Sequence, residues 1–244
     1  MRKFFKFDCE NNQKEITISG EDARHISRSL RMKVGDKVCV CNGTGYDIHC
    51  TIALIDRENV YLTVEGVEKG ESEPKYGAVL FQALAKSDKM DTIVQKAVEC
   101  GVTEIIPFES KYCIAKIGDG IKNKLNRWRK ISLEAAKQCG RCIVPKISEP
   151  VSYAQAVLEC SKGECSFICY EEERGLKLGS VAKPMKNEYR FMIGPEGGFS
   201  EEEIKFANEN GVVSVGLGKR ILRCETASSF VLACLCMENE LRDY

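Results

Sequence analysis

Two different rhythms of apolar residues divide the 244-residue chain and constrain its fold more than any single motif. The stretch "KVCVCNGTGYDIHCTIALIDRENVYLTVEGV" alternates apolar and polar positions, the period-2 pattern of strands with one buried face, and Asn42-Gly43 marks a hairpin within it. Upstream, "FFKFD" and "KEITIS" also read as strands. Between them and this run, "GEDARHISRSLRM" reads as a short helix with Ile26 and Leu30 on one side and Arg24, Arg28 and Arg31 on the other. These segments predict a small antiparallel barrel or sandwich. The segment "EKGESEP", Glu68 to Pro74, is charged and lacks apolar residues, which puts a boundary there and predicts two domains, residues 1–72 and 73–244.

Beyond Pro74 strands and helices take turns. "YGAVLFQAL" is a buried strand, and "KMDTIVQKAVECG" is a helix with Met90, Ile93, Val94, Ala97 and Val98 on one stripe. "VTEIIPFES" is the next strand, and "KLNRWRKISLEAAKQCG" is a second amphipathic helix. "CSFICYE", "YRFMIG" and "VVSVGLG" are further short strands, and "ETASSFVLACLCMENEL" is a long closing helix. Such alternation predicts an α/β domain built on a mainly parallel sheet.

Composition narrows the class. With 43% hydrophobic and 30% charged residues the balance is globular. No charge-free apolar run approaches the roughly 18 residues of a membrane span, and "MRKFFKFDCE" breaks into charge before a signal-peptide core can form. The expectation is a soluble cytoplasmic protein without a membrane partner. Fourteen cysteines without an export signal suit a reducing compartment, where most act as small buried apolar residues. The spacing Cys139-x-x-Cys142 has no second pair to complete four ligands, and His25 and His49 lie far upstream, so no metal is expected. The formal charge is zero, which excludes an indiscriminate polycation. From Ser110 to Lys146, however, ten Lys or Arg stand against two acids. This surplus fits either a track for a polyanion or a solvated helix face.

The stretch "FMIGPEGGFSEEE" raises the question of a phosphate loop. Ser200 and Glu203 have the S-x-x-E spacing of a capping box, which fills the N-terminus of the following helix with the chain's own carboxylates and repels a pyrophosphate. Gly194, Gly197 and Gly198 match neither G-x-G-x-x-G nor a P-loop. A second glycine turn, Gly216 and Gly218 in "SVGLGKRILRCETAS", ends a later strand. Two such turns at the carboxyl ends of neighbouring strands form a crevice of the kind in which open α/β sheets bind ligands, although each alone is explained by turn structure. Glycine there lets backbone groups approach a flat, uncharged or cationic ligand.

"IGPEGGFSEEE" and "LGKRILRCETAS", with "KMDTIVQKAVECGVTEIIPF", "RWRKISLEAAKQCGR" and "RHISRSLRMKVGD", closely resemble the RsmE family of bacterial 16S ribosomal RNA uridine-N3 methyltransferases. The match runs in order over nearly the whole chain. It implies a PUA-like RNA-binding β-barrel followed by a SPOUT methyltransferase domain, a parallel sheet with helices on both faces and a deep C-terminal trefoil knot. It also implies a homodimer, S-adenosylmethionine as cofactor, and 16S rRNA or the small ribosomal subunit as partner. The cofactor positions carried over are Gly194, Pro195, Glu196, Gly197 and Gly198 in the first loop, and Leu217, Gly218, Ile221, Leu222 and Arg223 in the second. Two alternatives stay open: a related SPOUT enzyme for another RNA, or a catalytically inactive rRNA-binding protein.

Methylation at uridine N3 needs a departing proton, an in-line methyl, and stabilised charge on the flanking carbonyl oxygens. Arg223 is the expected cationic donor, or else a salt-bridge partner of Glu225 or of the acids after Ser200. The base is Asp91, Glu196 or water. Candidate phosphate contacts are Arg24, Arg28, Arg31 and Lys33 in the first domain and Lys89, Lys124, Arg127 and Arg141 in the second, against a solvated surface for each. Three positions depart from the family pattern. Lys89 stands where arginine is usual and loses the bidentate fork, Arg24-His25 replaces a paired histidine, and Cys224 replaces a frequent threonine.

Overall fold

The computed structural model describes residues 2–118, 120–183 and 187–242. They form two compact units, Met1–Glu73 with Ala136–Val144, and Pro74–Ala135 with Pro145–Tyr244.

The first unit contains β1 (Arg2–Phe5), β2 (Glu15–Ser19), α1 (Gly20–Arg24), β3 (Lys37–Cys41), β4 (Tyr46–Ile55) and β5 (Asn59–Lys69). The five strands are ordered β1-β3-β4-β5-β2. All pairs are antiparallel except β1 with β3, where Phe4 lies opposite Val40 in parallel register. The all-antiparallel expectation fails at this edge because no hairpin joins β1 to β3: the chain first crosses to the far edge as β2. Period-2 alternation sends Ile16, Ile18, Val38, Val40, Ile48, Ile52, Val60 and Leu62 into one core, closed by Ala23 and Ile26. Register shifts in β4 after His49 and after Ile52 bend the long strand, as bulges do. After α1 the helix widens into a π-helical turn, His25–Ser29, and the backbone then turns through Arg31 at φ 52°.

The second unit contains β6 (Gly77–Ala83), α2 (Ser87–Glu99), β7 (Glu104–Glu109), α3 (Ile121–Cys139), β8 (Lys146–Ile147), β9 (Val151–Ser152) and α4 (Tyr153–Cys160). It continues with β10 (Cys165–Cys169), α5 (Leu178–Val181), β11 (Glu188–Ile193), α6 (Glu201–Glu209), β12 (Val213–Val215) and α7 (Cys224–Cys236). Its sheet is parallel throughout, in the order β12-β10-β11-β6-β7-β8, with β9 also on β7. Ala78 to Ala83 and Phe191 to Ile193 are buried without alternation, which requires cover on both sheet faces. α2 packs on α7, α7 lies on β6 and β11, and α4 packs on β7, β9 and β11. The predicted stripe of α2 is wholly buried, from Met90 to Val98. In α3, Leu125 and Trp128 are buried, and the buried Ser132 hydroxyl donates to the Pro145 carbonyl oxygen at 2.9 Å. The two-residue strands β8 and β9 are too short to carry a period. After β10, residues 176–178 lie along Gly216, whose N–H donates to the Leu176 carbonyl at 2.8 Å.

Candidate functional site

The carboxyl ends of β10, β11 and β12 open into one cavity, with about 520 Å³ of empty space when the open solvent at its mouth is included. Gly194, Pro195, Gly198 and Phe199 wall it after β11, and Leu217, Gly218, Arg220, Leu222 and Cys224 after β12. The two glycine turns do not follow neighbouring strands, as the sequence suggested, because β10 runs between β11 and β12. Sequence reasoning therefore missed a third wall, Cys169, Tyr170 and Glu171 at the end of β10. The signal was present: "CYE" ends a short strand in an α/β alternation, where ligand-facing loops begin.

Close backbone approach builds the cavity. Gly198 has φ 68°, and a β-carbon there would collide with the Glu171 carboxylate. A β-carbon at Gly216 would collide with the Glu173 carbonyl oxygen, and Gly218 adopts φ 118° facing open space. The start of α6 offers no free helix end to a phosphate. The capping box at α6 forms as predicted: the Glu203 N–H donates to Ser200 Oγ at 3.3 Å, and the Ser200 N–H donates to Glu203 Oε2 at 2.9 Å. Glu203 Oε1 also accepts from the Lys111 N–H at 2.8 Å. The lining thus suits a flat ligand held by backbone and apolar contact, with one carboxylate, Glu171, and one guanidinium, Arg220, at its border. These walls fit S-adenosylmethionine, which has no phosphate and carries a sulfonium.

Beside the cavity, Lys89 on α2 joins the two loops electrostatically. Its Nζ lies 3.2 Å from Glu196 in the first loop and 3.9 Å from Glu225 at the start of α7. Glu196 Oε1 also accepts from the Lys86 N–H at 3.3 Å. Burial pushes the Glu196 carboxyl up, but hydrogen bonds and the Lys89 ammonium prevail and leave its pKa below the ordinary value. Glu225 is depressed likewise, burial being outweighed by hydrogen bonding, Lys89 and Arg223. Burial and the adjoining Glu225 push the Cys224 thiol up to about 12, so it is a protonated thiol in the wall rather than a nucleophile.

The remaining sequence candidates separate. Glu196, Gly197, Ile221 and Arg223 stand outside the cavity lining, and Ile221 is 81% exposed. Arg223 is exposed at the cap of α7 and makes no ion pair among the described residues, so its expected bridge to Glu225 is a field effect without contact. Arg220, which the sequence did not single out, borders the cavity instead. Asp91 pairs through Oδ2 with Arg127, and its other oxygen is buried without a partner among the described residues. Lys89 is tied to Glu196 and Glu225 rather than offered to solvent.

Much of the basic surplus is also neutralised in place. Lys111 pairs with Glu202, Lys116 with Glu109, Arg129 with Glu149 and Lys146 with Glu104. Arg141 is a correction to the phosphate-contact set: its side chain is 5% exposed and Glu73 takes its guanidinium at 2.7 Å, so it closes the first unit internally. Lys122, Lys124 and Lys130 have no ion pair among the described residues. In the first unit Arg24, Arg28, Arg31 and Lys33 are all exposed and likewise without ion pairs among the described residues.

Comparison with known proteins agrees with this geometry. A family model described as an RNA methyltransferase domain matches residues 72–236, and one described as an RNA methyltransferase PUA domain matches residues 18–65. A Mesomycoplasma hyopneumoniae protein named ribosomal RNA small subunit methyltransferase E is 34% identical over 232 residues, 95% of this chain and 97% of its own length. Its Bacillus subtilis namesake is 31% identical over 236 residues, covering 93% of this chain and 91% of the relative. The crystal structure of a ribosomal RNA small subunit methyltransferase E from Neisseria gonorrhoeae bound to S-adenosyl methionine matches with a TM-score of 0.88 and 29% identity, over 97% of each chain. Likeness of this extent, running through both units and including the strands that wall the cavity, means that the chain belongs to the ribosomal RNA small subunit methyltransferase E family.

Proposed function

We propose that this chain is an S-adenosylmethionine-dependent enzyme that methylates N3 of a specific uridine in the 16S rRNA of the small ribosomal subunit, working in the cytoplasm as a homodimer. The cavity at the ends of β10, β11 and β12 carries this reading. Glycine backbone forms part of its walls, the start of α6 is already capped, and a relative of the same fold is described as bound to S-adenosyl methionine.

The bound cofactor supplies a methyl group on a positive sulfonium. Gly194, Pro195 and Gly198 hold one side, Leu217, Gly218 and Leu222 the other, and Glu171 offers hydrogen-bond acceptors at the rim. Lys89 keeps the two loops together through Glu196 and Glu225, so that the reacting atoms meet in a fixed geometry. Arg220 and Arg223, on the loop after β12, stabilise the negative charge that spreads onto the uracil carbonyl oxygens as N3 loses its proton. Glu196 is turned to Lys86 and Lys89, and Asp91 to Arg127. The N3 proton is released to solvent on this reading. Arg24, Arg28, Arg31 and Lys33 on the first unit, with Lys124 on the second, contact phosphates and position the RNA, and the target base is flipped out to reach the cavity.

Exposed Phe230, Met237 and Leu241 along α7 and the turn after it support pairing with a second chain. Tritiated methyl transfer to small subunits from a strain lacking the protein, followed by mass spectrometry of nucleosides, tests the assignment. Label in N3-methyluridine is expected. Label in a different nucleoside would point to another specificity, and none with any rRNA substrate would point to a binding protein.

A further inference from the structure

Away from the cavity, the first unit brings together three of the fourteen cysteines around one carboxylate. Cys39 and Cys41 lie two apart on β3 and project from the same side, and Asp47 faces them from β4 in the β3–β4 hairpin. Cys142 arrives from the segment Ala136–Val144. The sulfurs of Cys39, Cys41 and Cys142 lie 3.3, 3.0 and 3.2 Å from the same atom, Asp47 Oδ1. The ligand atoms of Cys39, Cys41 and Asp47 are all within 4.8 Å of one another. The Lys3 ammonium adds a fourth donor to Oδ1 at 2.8 Å, and reaches Oδ2 at 3.0 Å and the Cys142 sulfur at 3.3 Å.

As a hydrogen-bonded cluster this arrangement has too many donors. A carboxylate oxygen accepts about two hydrogen bonds, and four groups converge on Oδ1. The spacing instead suits a tetrahedral ion. With metal–sulfur and metal–oxygen bonds of about 2.3 and 2.0 Å, the sulfur-to-oxygen separation across a tetrahedral site is about 3.5 Å, close to the distances of Cys39 and Cys41 from Oδ1. Cys142 lies 3.2 Å from Oδ1 but outside the mutually close set of Cys39, Cys41 and Asp47, so its side chain must turn toward the other two sulfurs to join them on an ion. Room is also made for the third sulfur, since a β-carbon at Gly70 would collide with Cys142 Sγ. The side chains of Lys3 and Asp47 are 13% and 16% exposed, which leaves an approach from solvent along one edge.

We propose that Cys39, Cys41 and Asp47 form the preformed part of a structural site for a thiophilic divalent cation, zinc in the first instance, and that Cys142 turns in as the fourth ligand and ties residue 142 to the β3–β4 hairpin. On binding, the three thiols release their protons to solvent and bind through sulfur, and Asp47 binds through Oδ1. The divalent ion and four anionic ligands leave a net charge of two minus, and Lys3 offsets half of it while its bond to Oδ2 orients the carboxylate. Cys139, the other member of the C-x-x-C pair, takes no part: its thiol donates to the Ala136 carbonyl.

Titration of the reduced full-length protein with cobalt(II) tests the site, because thiolate-to-cobalt charge transfer reports both binding and sulfur ligation. One equivalent is expected to give a charge-transfer band that zinc then abolishes by displacement. Cys41→Ser and Cys142→Ser should each weaken binding by about ten-fold or more, Lys3→Met by about ten-fold, and Cys139→Ser should leave it unchanged. Should a cysteine variant fail to fold, Asp47→Asn provides the same comparison. The proposal is overturned if reduced wild-type protein gives no band at one equivalent, or if the band persists unaltered in Cys142→Ser or Asp47→Asn.

Discussion

Lys89 shows how a residue's role changes with its surroundings. In sequence it is a cation near a helix start, a reasonable phosphate contact, and in the fold it is the link between two loops that lie far apart in the chain. Lys89→Met is expected to raise the dissociation constant for S-adenosylmethionine about five-fold, ~1 kcal/mol, in isothermal calorimetry, while RNA affinity in filter binding stays level. The same pair sets a pH response. Because the folded-state pKa of Glu196 is depressed, its contribution is complete above the ordinary carboxyl value of about 4.3 and is lost as pH falls through the lower folded value. Urea midpoints measured from neutral pH down to about pH 3 should show wild type losing its advantage over Glu196→Gln across that window; a constant gap would contradict the assignment. Cys224, held as a neutral thiol, should be dispensable for chemistry. Cys224→Ala is expected to keep methyl-transfer turnover within about two-fold.

At the scale of elements, the loop after β11 and the helix it feeds divide their labour. The loop holds ligand through backbone, and the acids after it start α6. Ser200→Ala removes the cap and should lower global stability by about 1 kcal/mol in denaturant unfolding, with a smaller effect on cofactor affinity. Gly198→Ala should do the reverse. It puts a side chain at a left-handed backbone position, a local cost of about 1–3 kcal/mol, and displaces the Glu171 carboxylate from the cavity rim, so cofactor binding measured by calorimetry should fall well below wild type. Gly218→Ala separates the two effects, since its β-carbon meets open space and only the backbone strain remains.

For the whole molecule, zero formal charge conceals an uneven distribution of usable cations. The helix-rich surplus from Ser110 to Lys146 is largely consumed by acids brought from other segments, and Arg141 is buried against Glu73. The arginines around the π-helical turn after α1 remain exposed and unpaired among the described residues, with Arg31 held at a positive φ that tertiary packing must maintain. Arg28→Glu combined with Arg31→Glu should therefore weaken rRNA binding more than Lys122→Glu with Lys130→Glu. It should also reduce the slope of log affinity against log salt by roughly two, and leave cofactor affinity unchanged. Equal losses from the two pairs would place the RNA track on α3 instead.

What the sequence determined by itself was whatever depends on neighbours along the chain. The period-2 core of the first unit, the α2 stripe from Met90 to Val98 and the box at Ser200 and Glu203 are all local patterns, and each forms as read. Tertiary structure alone decided what depends on strand order and on partners far away in sequence. Placing β10 between β11 and β12 supplied the third wall of the cavity, with Glu171, and brought Arg220 to its border. The same kind of convergence turned Lys89 into a clasp and removed Arg141 from the surface. It also gathered Cys39, Cys41 and Cys142 about Asp47, although Cys139-x-x-Cys142 was the only spacing that drew attention to the thiols. The physical reason is that a side chain's charge state and availability are set by the atoms packed within a few ångströms of it, and tertiary packing draws those atoms from segments more than a hundred residues apart.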